Sequence, residues 1–270
     1  MKWTNRDQAV WEEIENYIHS LESIRSNDFK DTYIQWVDQA ISFIPKHLSD
    51  IFFEKLDSWL FHLHSFIQAS QIQEDARIRI ITSARVFDES IQTIADMRKL
   101  SIDQLSFIAD QHSARHRLYA LAQGGMTGTG KSILLSTDFL VLMMLNLRSV
   151  QITAISYGYD VKTPLELMIS LKVFHAATLP KRLRREAWEG IVIDLQEDPY
   201  FYQGPENLLS YQWLEEPFKQ ILKTYFITMF KSKPSIIPIA IGAGLNYQFS
   251  RKVTDFADKF YKYRYLLDKG

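Results

Sequence analysis

The chain of 270 residues contains no cysteine. That excludes a disulfide framework, thiolate chemistry and any cysteine-based zinc site. Charge of one sign is lacking too: 31 basic side chains stand against 32 acidic ones, for a formal net charge of −1. Broad, unspecific nucleic-acid binding needs a basic face and is therefore not expected. Glycine and proline are scarce, at 10 and 8, and fall mostly between periodic stretches as punctuation. No apolar run reaches the roughly 20 residues that span a bilayer. The most apolar one, Ile133 to Leu147, is interrupted by Ser136, Thr137, Asp138 and Asn146. An Asp inside such a segment would cost about 2.5–3.5 kcal/mol on insertion. The N-terminal MKWTNRDQAVWEEIENY carries charges throughout, unlike a signal peptide. A cytoplasmic protein is expected, with a peripheral position at the inner face of the cell membrane as a further possibility to test.

What is present is core material, 46% hydrophobic and 13% aromatic, laid out with helical spacing. Thr4 or Asn5 caps a first helix within residues 1–25, whose inner face is Val10, Ile14, Tyr17, Ile18 and Leu21. A second carries Tyr33, Ile34, Val37 and Ile41 and ends at Pro45; a third is expected from Ser49 or Asp50. Arg77-Ile78-Arg79-Ile80 alternates like a strand, but the longer window through Val86, Ile91 and Ile94 suits a helix. Thr163-Pro164 opens another helix with proline in its first turn, and Leu179-Pro180 closes it. Asp198 to Leu209 reads as a loop, Lys233 to Asn246 as a short apolar segment, and the last helix is expected around Phe249 to Leu267. The expected fold is all-α: one helical domain over 1–270, a multi-helix bundle around a central apolar helix.

Gly124, Gly125, Gly128 and Gly130 precede that apolar helix. Gly125 to Ser132, GMTGTGKS, fits the phosphate-binding loop pattern at every fixed position, including Lys131, and Ile191 to Asp194 resembles a Walker B strand. The context opposes the match. A phosphate-binding loop follows a buried strand within an alternating β/α order, and the segment before Gly125 continues a helical stripe. A strand before Gly125 would revive nucleotide hydrolysis; a helix would end it.

Asp138 and Arg148 are ten residues apart, about 15 Å along a helix, and cannot pair with each other. Each needs a partner if buried, and polar groups near Asn246 or Arg251 are the expected ones. His112 and His116 stand at i, i+4 and could hold a metal, but Ser113 occupies the position of the zincin glutamate, and both lie on an apolar stripe. They read as core histidines; no metal and no cofactor is expected. Lys181, Arg182, Arg184 and Arg185 form a basic run that could meet anionic lipid.

In their order, Ile44-Pro45-Lys46, Thr127-Gly128-Thr129-Gly130, Asp138-Phe139, Arg148, Tyr157-Gly158-Tyr159-Asp160, Glu166 and Ile237-Pro238 through Gly242, Gly244, Asn246 and Tyr247 resemble the EcsC family of bacterial proteins. The resemblance covers about residues 36–267. It marks Thr127, Gly128, Gly130, Asp138, Arg148, Tyr157, Gly158, Asp160 and Asn246 as motif residues and as a candidate ligand site. The family places glycine where this chain has Lys131, which weakens the nucleotide reading further. The resemblance implies a helical protein whose namesake is encoded beside the two subunits of an ABC transporter. It implies no established reaction. The expected role is non-enzymatic, with a membrane surface or membrane transporter subunits as partners. A polar enzyme or small-ligand site around Asp138 and Arg148 is the alternative.

Overall fold

Thr4 starts the first helix as its sequence suggests. Its hydroxyl accepts the Asp7 N–H at 3.2 Å while the Asp7 carboxylate accepts the Thr4 N–H at 2.7 Å, a reciprocal cap on two otherwise unpaired donors. The computed structural model describes residues 3–21, 29–68, 70–126, 137–196, 212–231 and 239–270. Among them it holds ten α-helices and no strand: α1 Asn5–Ser20, α2 Phe29–Ser42, α3 Lys46–Gln68, α4 Ser70–Ala84, α5 Ile102–Met126, α6 Thr137–Ser156, α7 Pro164–Thr178, α8 Lys181–Gln196, α9 Gln212–Lys231 and α10 Ile239–Lys269. A short 3-10 helix covers Ala95–Lys99. The all-α architecture is as expected. The loop expected at Asp198 to Leu209 lies outside the described residues.

Several helices differ in phase or extent from the sequence expectation. In α2 the inner face is Tyr33, Trp36, Val37, Ala40 and, just beyond, Ile44; Ile34 is 44% exposed. Helix α3 begins at Lys46, not near Ser49, because the Pro45 carbonyl accepts the N–H groups of Leu48 and Ser49. The alternating Arg77 to Ile80 stretch is helical. Ala76, Ile80 and Ala84 at four-residue spacing face inward, and Ile78 faces out. That helix stops at Ala84 instead of running on to Ile94. Arg85 Nε donates to the Ile91 carbonyl and the Asp88 carboxylate accepts the Ser90 N–H, which folds a turn that buries Ile91 and Ile94.

Helix α6 is buried from Leu142 to Ser156 apart from its neighbours Met144 and Leu145, but it is far less apolar than its first half suggests. Asn146, Ser149, Thr153 and Ser156 lie inside it and donate to the carbonyls of Leu142, Leu145, Ser149 and Ile152, at 2.7, 2.9, 3.0 and 2.9 Å. The three hydroxyls and the Asn146 amide N–H thereby find acceptors within their own helix, which offsets part of the penalty of burying polar groups. Helix α10 starts at Ile239 rather than near Phe249, so Gly242 and Gly244 belong to one helix of 31 residues. It packs against α5 and α6 and also meets α7 and α1. Trp188 of α8 sits edge-on to Phe256, Phe260 and Tyr263 of α10 and to Tyr17 of α1, tying the N-terminal helix to the C-terminal one.

Helix α6 ends in a left-handed cap. The Tyr159 N–H bonds the Ala154 carbonyl and the Gly158 N–H bonds the Ile155 carbonyl, both at 3.0 Å, with Gly158 at φ +87°. A Cβ on Gly158 would lie 2.8 Å from Arg98 Cγ and 3.3 Å from the Ile94 carbonyl oxygen. Both the backbone angle and the 3-10 helix pressed against it therefore require glycine. Gly158→Ala should lower the unfolding free energy by at least about 1–2 kcal/mol, the cost of the left-handed region for an L-residue. A urea melt with an unchanged midpoint would contradict this.

Candidate functional site

The turn from Tyr157 to Asp160 gathers several polar contacts among the described residues. The buried Tyr157 hydroxyl donates to the Asp258 carboxylate at 2.7 Å and lies 3.2 Å from Ser106 Oγ. Tyr159, also buried, donates to Asp268 at 3.0 Å. Burial first, and then the carboxylates of Asp258 and Asp268, push both phenols well above their ordinary range. Asp160 pairs with Arg77 of α4 and accepts the Lys162 N–H, while Lys162 itself reaches Glu74 at 2.5 Å.

Beneath this turn lies a buried ion pair. Both guanidinium ends of Arg264 on α10 donate to the two Glu166 oxygens on α7, at 2.6 and 2.7 Å. Thr163 accepts the Glu166 N–H at 3.3 Å and Pro164 fills the first helical position, so the local cap aims the carboxylate. The Arg264 guanidinium lies 3.9 Å from the Tyr159 ring centre and that of Arg98 lies 4.7 Å from it. Tyr159 is thus contacted by two cations. Burial opposes charge on Arg264, but the hydrogen bonds and attraction of Glu166 outweigh it and hold the guanidinium above its usual value.

These groups are turned toward one another. Next to them a cavity of about 240 Å³ is lined by Arg98, Lys99, Tyr265, Asp268 and Lys269. Its cations are already matched, with Arg98 at 3.7 Å from Asp268, Lys99 at 2.7 Å from Asp96 and Lys269 at 2.7 Å from Asp7. The arrangement is a joint between α4, α6, α7 and α10, held by neutralised charge.

The remaining motif residues are dispersed. Arg148 lies nine residues before Tyr157, roughly 13 Å along α6, and Asn246 lies roughly 27 Å along α10 from Arg264. Arg148 is buried, and that burial pulls its guanidinium down to about 10. Arg251, an expected partner for the α6 charges, is exposed and pairs with Asp255 one turn on. Asp138 falls in the first turn of α6. Thr127, Gly128, Gly130 and Lys131 lie outside the described residues. Gly124 and Gly125, however, belong to α5, which runs to Met126, and Ile191 to Asp194 belong to α8. A helix precedes the glycine loop and a helix holds the Walker B look-alike, so the frame of a phosphate-binding loop is missing. His112 lies 3.2 Å from Ser83 and is pushed down to about 4, by burial first and then by Arg115 and Arg79. The described residues hold no group of three or more metal-ligating side chains. In the basic run Arg184 is buried and caps α7 by donating to the Leu179 carbonyl at 2.8 Å, and Arg185 pairs with Glu189; Lys181 and Arg182 point outward.

A second polar cluster was not expected from the sequence. A cleft of about 400 Å³ opens between α2, α7, α8 and α9. Two of its lining side chains meet Thr224, whose Oγ1 lies 3.1 Å from His175 Nε2 and 2.7 Å from the Tyr33 hydroxyl. Burial pushes His175 down to about 4, so its ring is neutral. Lys172 and Asp194 pair within the lining, which also includes Glu186 and Gly190. The one clue in the sequence was Gly190, a glycine inside a helix.

An all-helical chain with this motif order defines a class before it defines a protein. The sequence model described as the EcsC protein family matches residues 8–266. The chain belongs to that family. It is 23% identical over 251 residues to YdbA of Bacillus subtilis (strain 168), itself described as uncharacterised, and the match covers 89% of each chain. No solved structure matches.

Removing one member of the Glu166–Arg264 pair leaves the other buried and alone, so Glu166→Gln and Arg264→Met should each cost about 3–5 kcal/mol. The double variant should cost less than their sum, as read from urea melts of all four proteins. Additive costs would show that the two side chains are not coupled. A second expectation concerns acid. His175 titrates near 4 in the fold but near 6.5 in an unfolded chain. The unfolded chain therefore binds more protons between these values, and stability is lost as pH falls from about 6.5 to 4. Melting temperature against pH should fall less steeply in that window for His175→Gln. Equal slopes would contradict the assignment.

Proposed function

We propose that this EcsC-family protein is a non-enzymatic one that works against the inner face of a membrane, accessory to a membrane transporter. The observation that supports the reading is the outer seam of α4 and α5. Val86 is 83% exposed, Phe107 and Leu118 are each 58% exposed, and Phe87 stacks edge-on to Phe107 at 6.0 Å. Phe107 and Leu118 are separated by eleven residues, three turns and about 16 Å of helix, and so share one face of α5. Gln111 and Arg115 fill the same face and are exposed. Arg79 of α4 is exposed on the adjoining helix, which the Ser83–His112 contact holds against α5. Large apolar side chains without cover, flanked by arginine, suit the boundary between acyl chains and anionic headgroups. Acidic side chains adjoin this face too: the exposed Asp75 stands one turn before Arg79 on α4, and Asp88 and the exposed Glu89 sit at the turn beyond α4, where Asp88 is engaged by the Ser90 N–H. Among the described residues no helix is long and apolar enough to cross a membrane, so the contact would be with its surface.

The test is sedimentation with vesicles of phosphatidylcholine alone and with phosphatidylglycerol added, at low salt. The protein should pellet with the anionic vesicles, and Phe107→Ser with Leu118→Ser should release it. Arg79→Gln with Arg115→Gln should weaken the partition by about 30-fold, at about 1 kcal/mol for each arginine. A protein that stays in the supernatant with anionic vesicles would overturn the proposal.

A further inference from the structure

We propose that Lys181 and Arg184 of α8 and Lys252 of α10 form a binding site for a phosphate group. The site lies on other helices than the α4–α5 seam and does not rest on the membrane reading. Lys181 and Arg184 stand three residues apart, on one face of α8. Arg184 precedes Trp188 by one turn and Lys252 precedes Phe256 by one turn, and the Trp188 and Phe256 rings meet edge-on at 5.5 Å. The cations flank that contact, close enough for Arg184 and Lys181 both to act against the charge of Lys252. Arg184 is buried there, with its Nε fixed to the Leu179 carbonyl at 2.8 Å and Tyr17 of α1 at its side. Lys252 is half-buried, and Lys181 is exposed at the rim.

None of these three cations makes an ion pair among the described residues. The carboxylates around Tyr17 are taken: Asp255 pairs with Arg251 at 3.6 Å and Glu13 with Lys259 at 3.2 Å. Positive charge is therefore gathered where water is partly excluded, which is costly without a counter-ion. Burial first, and then the repulsion of Arg184 and Lys181, pushes Lys252 down to about 7. Helix α8 itself gives no reason for the crowding, since its first turn is the end where the helix dipole disfavours cations. A bound anion relieves the repulsion, and phosphate suits the site better than carboxylate. A phosphate monoester carries about −1.5 to −2 in charge and three strong acceptor oxygens. It meets three cationic donors, one of them a guanidinium already held in a fixed orientation. A carboxylate brings a single charge and two oxygens.

Phenyl phosphate is a suitable probe and benzoate its carboxylate counterpart. Calorimetric titration of the full chain at low, matched ionic strength should show saturable binding of phenyl phosphate and weaker or no binding of benzoate. Lys252→Met removes a half-buried unpaired charge and keeps most of the stem. It should melt at or above the wild-type temperature and bind phenyl phosphate at least about tenfold more weakly. Lys181→Gln should weaken binding as well. In wild-type protein the NMR titration of the Lys252 side chain should move to higher pH at saturating phenyl phosphate, because a bound anion favours the charged amine. That decides the matter even if Lys252→Met folds poorly. Vesicles of phosphatidylcholine with phosphatidic acid, whose headgroup is a phosphate monoester, then identify the source of the phosphate. Weaker sedimentation of Lys252→Met than of wild type points to a headgroup, and equal sedimentation to a phosphate ester in solution. No binding of phenyl phosphate, equal binding of benzoate, an unmoved Lys252 titration, or a well-folded Lys252→Met that binds like wild type would each overturn the inference.

Discussion

The bidentate contact between Arg264 and Glu166 is the constraint around which the C-terminal half is arranged. Removing two charges from water is expensive unless both hydrogen-bond fully. Here the guanidinium gives two donors to two carboxylate oxygens and also lies near the Tyr159 ring. For that to happen, α7 must start where Thr163 and Pro164 start it, and α6 must stop where Gly158 stops it. A shift of the start of α7 by one residue would swing Glu166 about 100° around its helix and leave Arg264 buried without that partner. The order of turn, cap and carboxylate in this stretch thus has a mechanical explanation that needs no ligand.

The local parts of this joint were legible in the sequence. Threonine before proline reads as a helix start, a conclusion that rests on neighbours within a few residues, and Gly158 stands in the motif where α6 stops. The pairing itself was not legible, because Glu166 and Arg264 are 98 positions apart and only the packing of α7 on α10 brings them together. Errors of phase have a similar origin. Ile34 and Val86 are apolar and fit a helical stripe by spacing, yet the first lines a cleft and the second sits on a turn beyond the end of α4. The apolar character attributed to the stretch before Leu147 did not carry through α6, where hydroxyl and amide side chains are buried by bonding to their own helix.

The phosphate-loop pattern shows how little a matched string means without its frame. Every fixed residue is present, but α5 runs into the glycines where a strand would have to end. The cleft shows the reverse. No pattern marks it, since its lining comes from single residues on four helices. Gly190 is one of them, with open space where a side chain would stand.

The central claim is that the turn after α6 is locked to the body of the protein by the charges beneath it, and native-state hydrogen exchange tests this most directly. The Gly158 and Tyr159 amides, bonded to Ile155 and Ala154, should exchange only through global unfolding, with the same free energy and denaturant dependence as the buried amides of α10 around Phe256 and Phe260. Exchange of these two amides by a smaller, denaturant-independent opening would contradict the account.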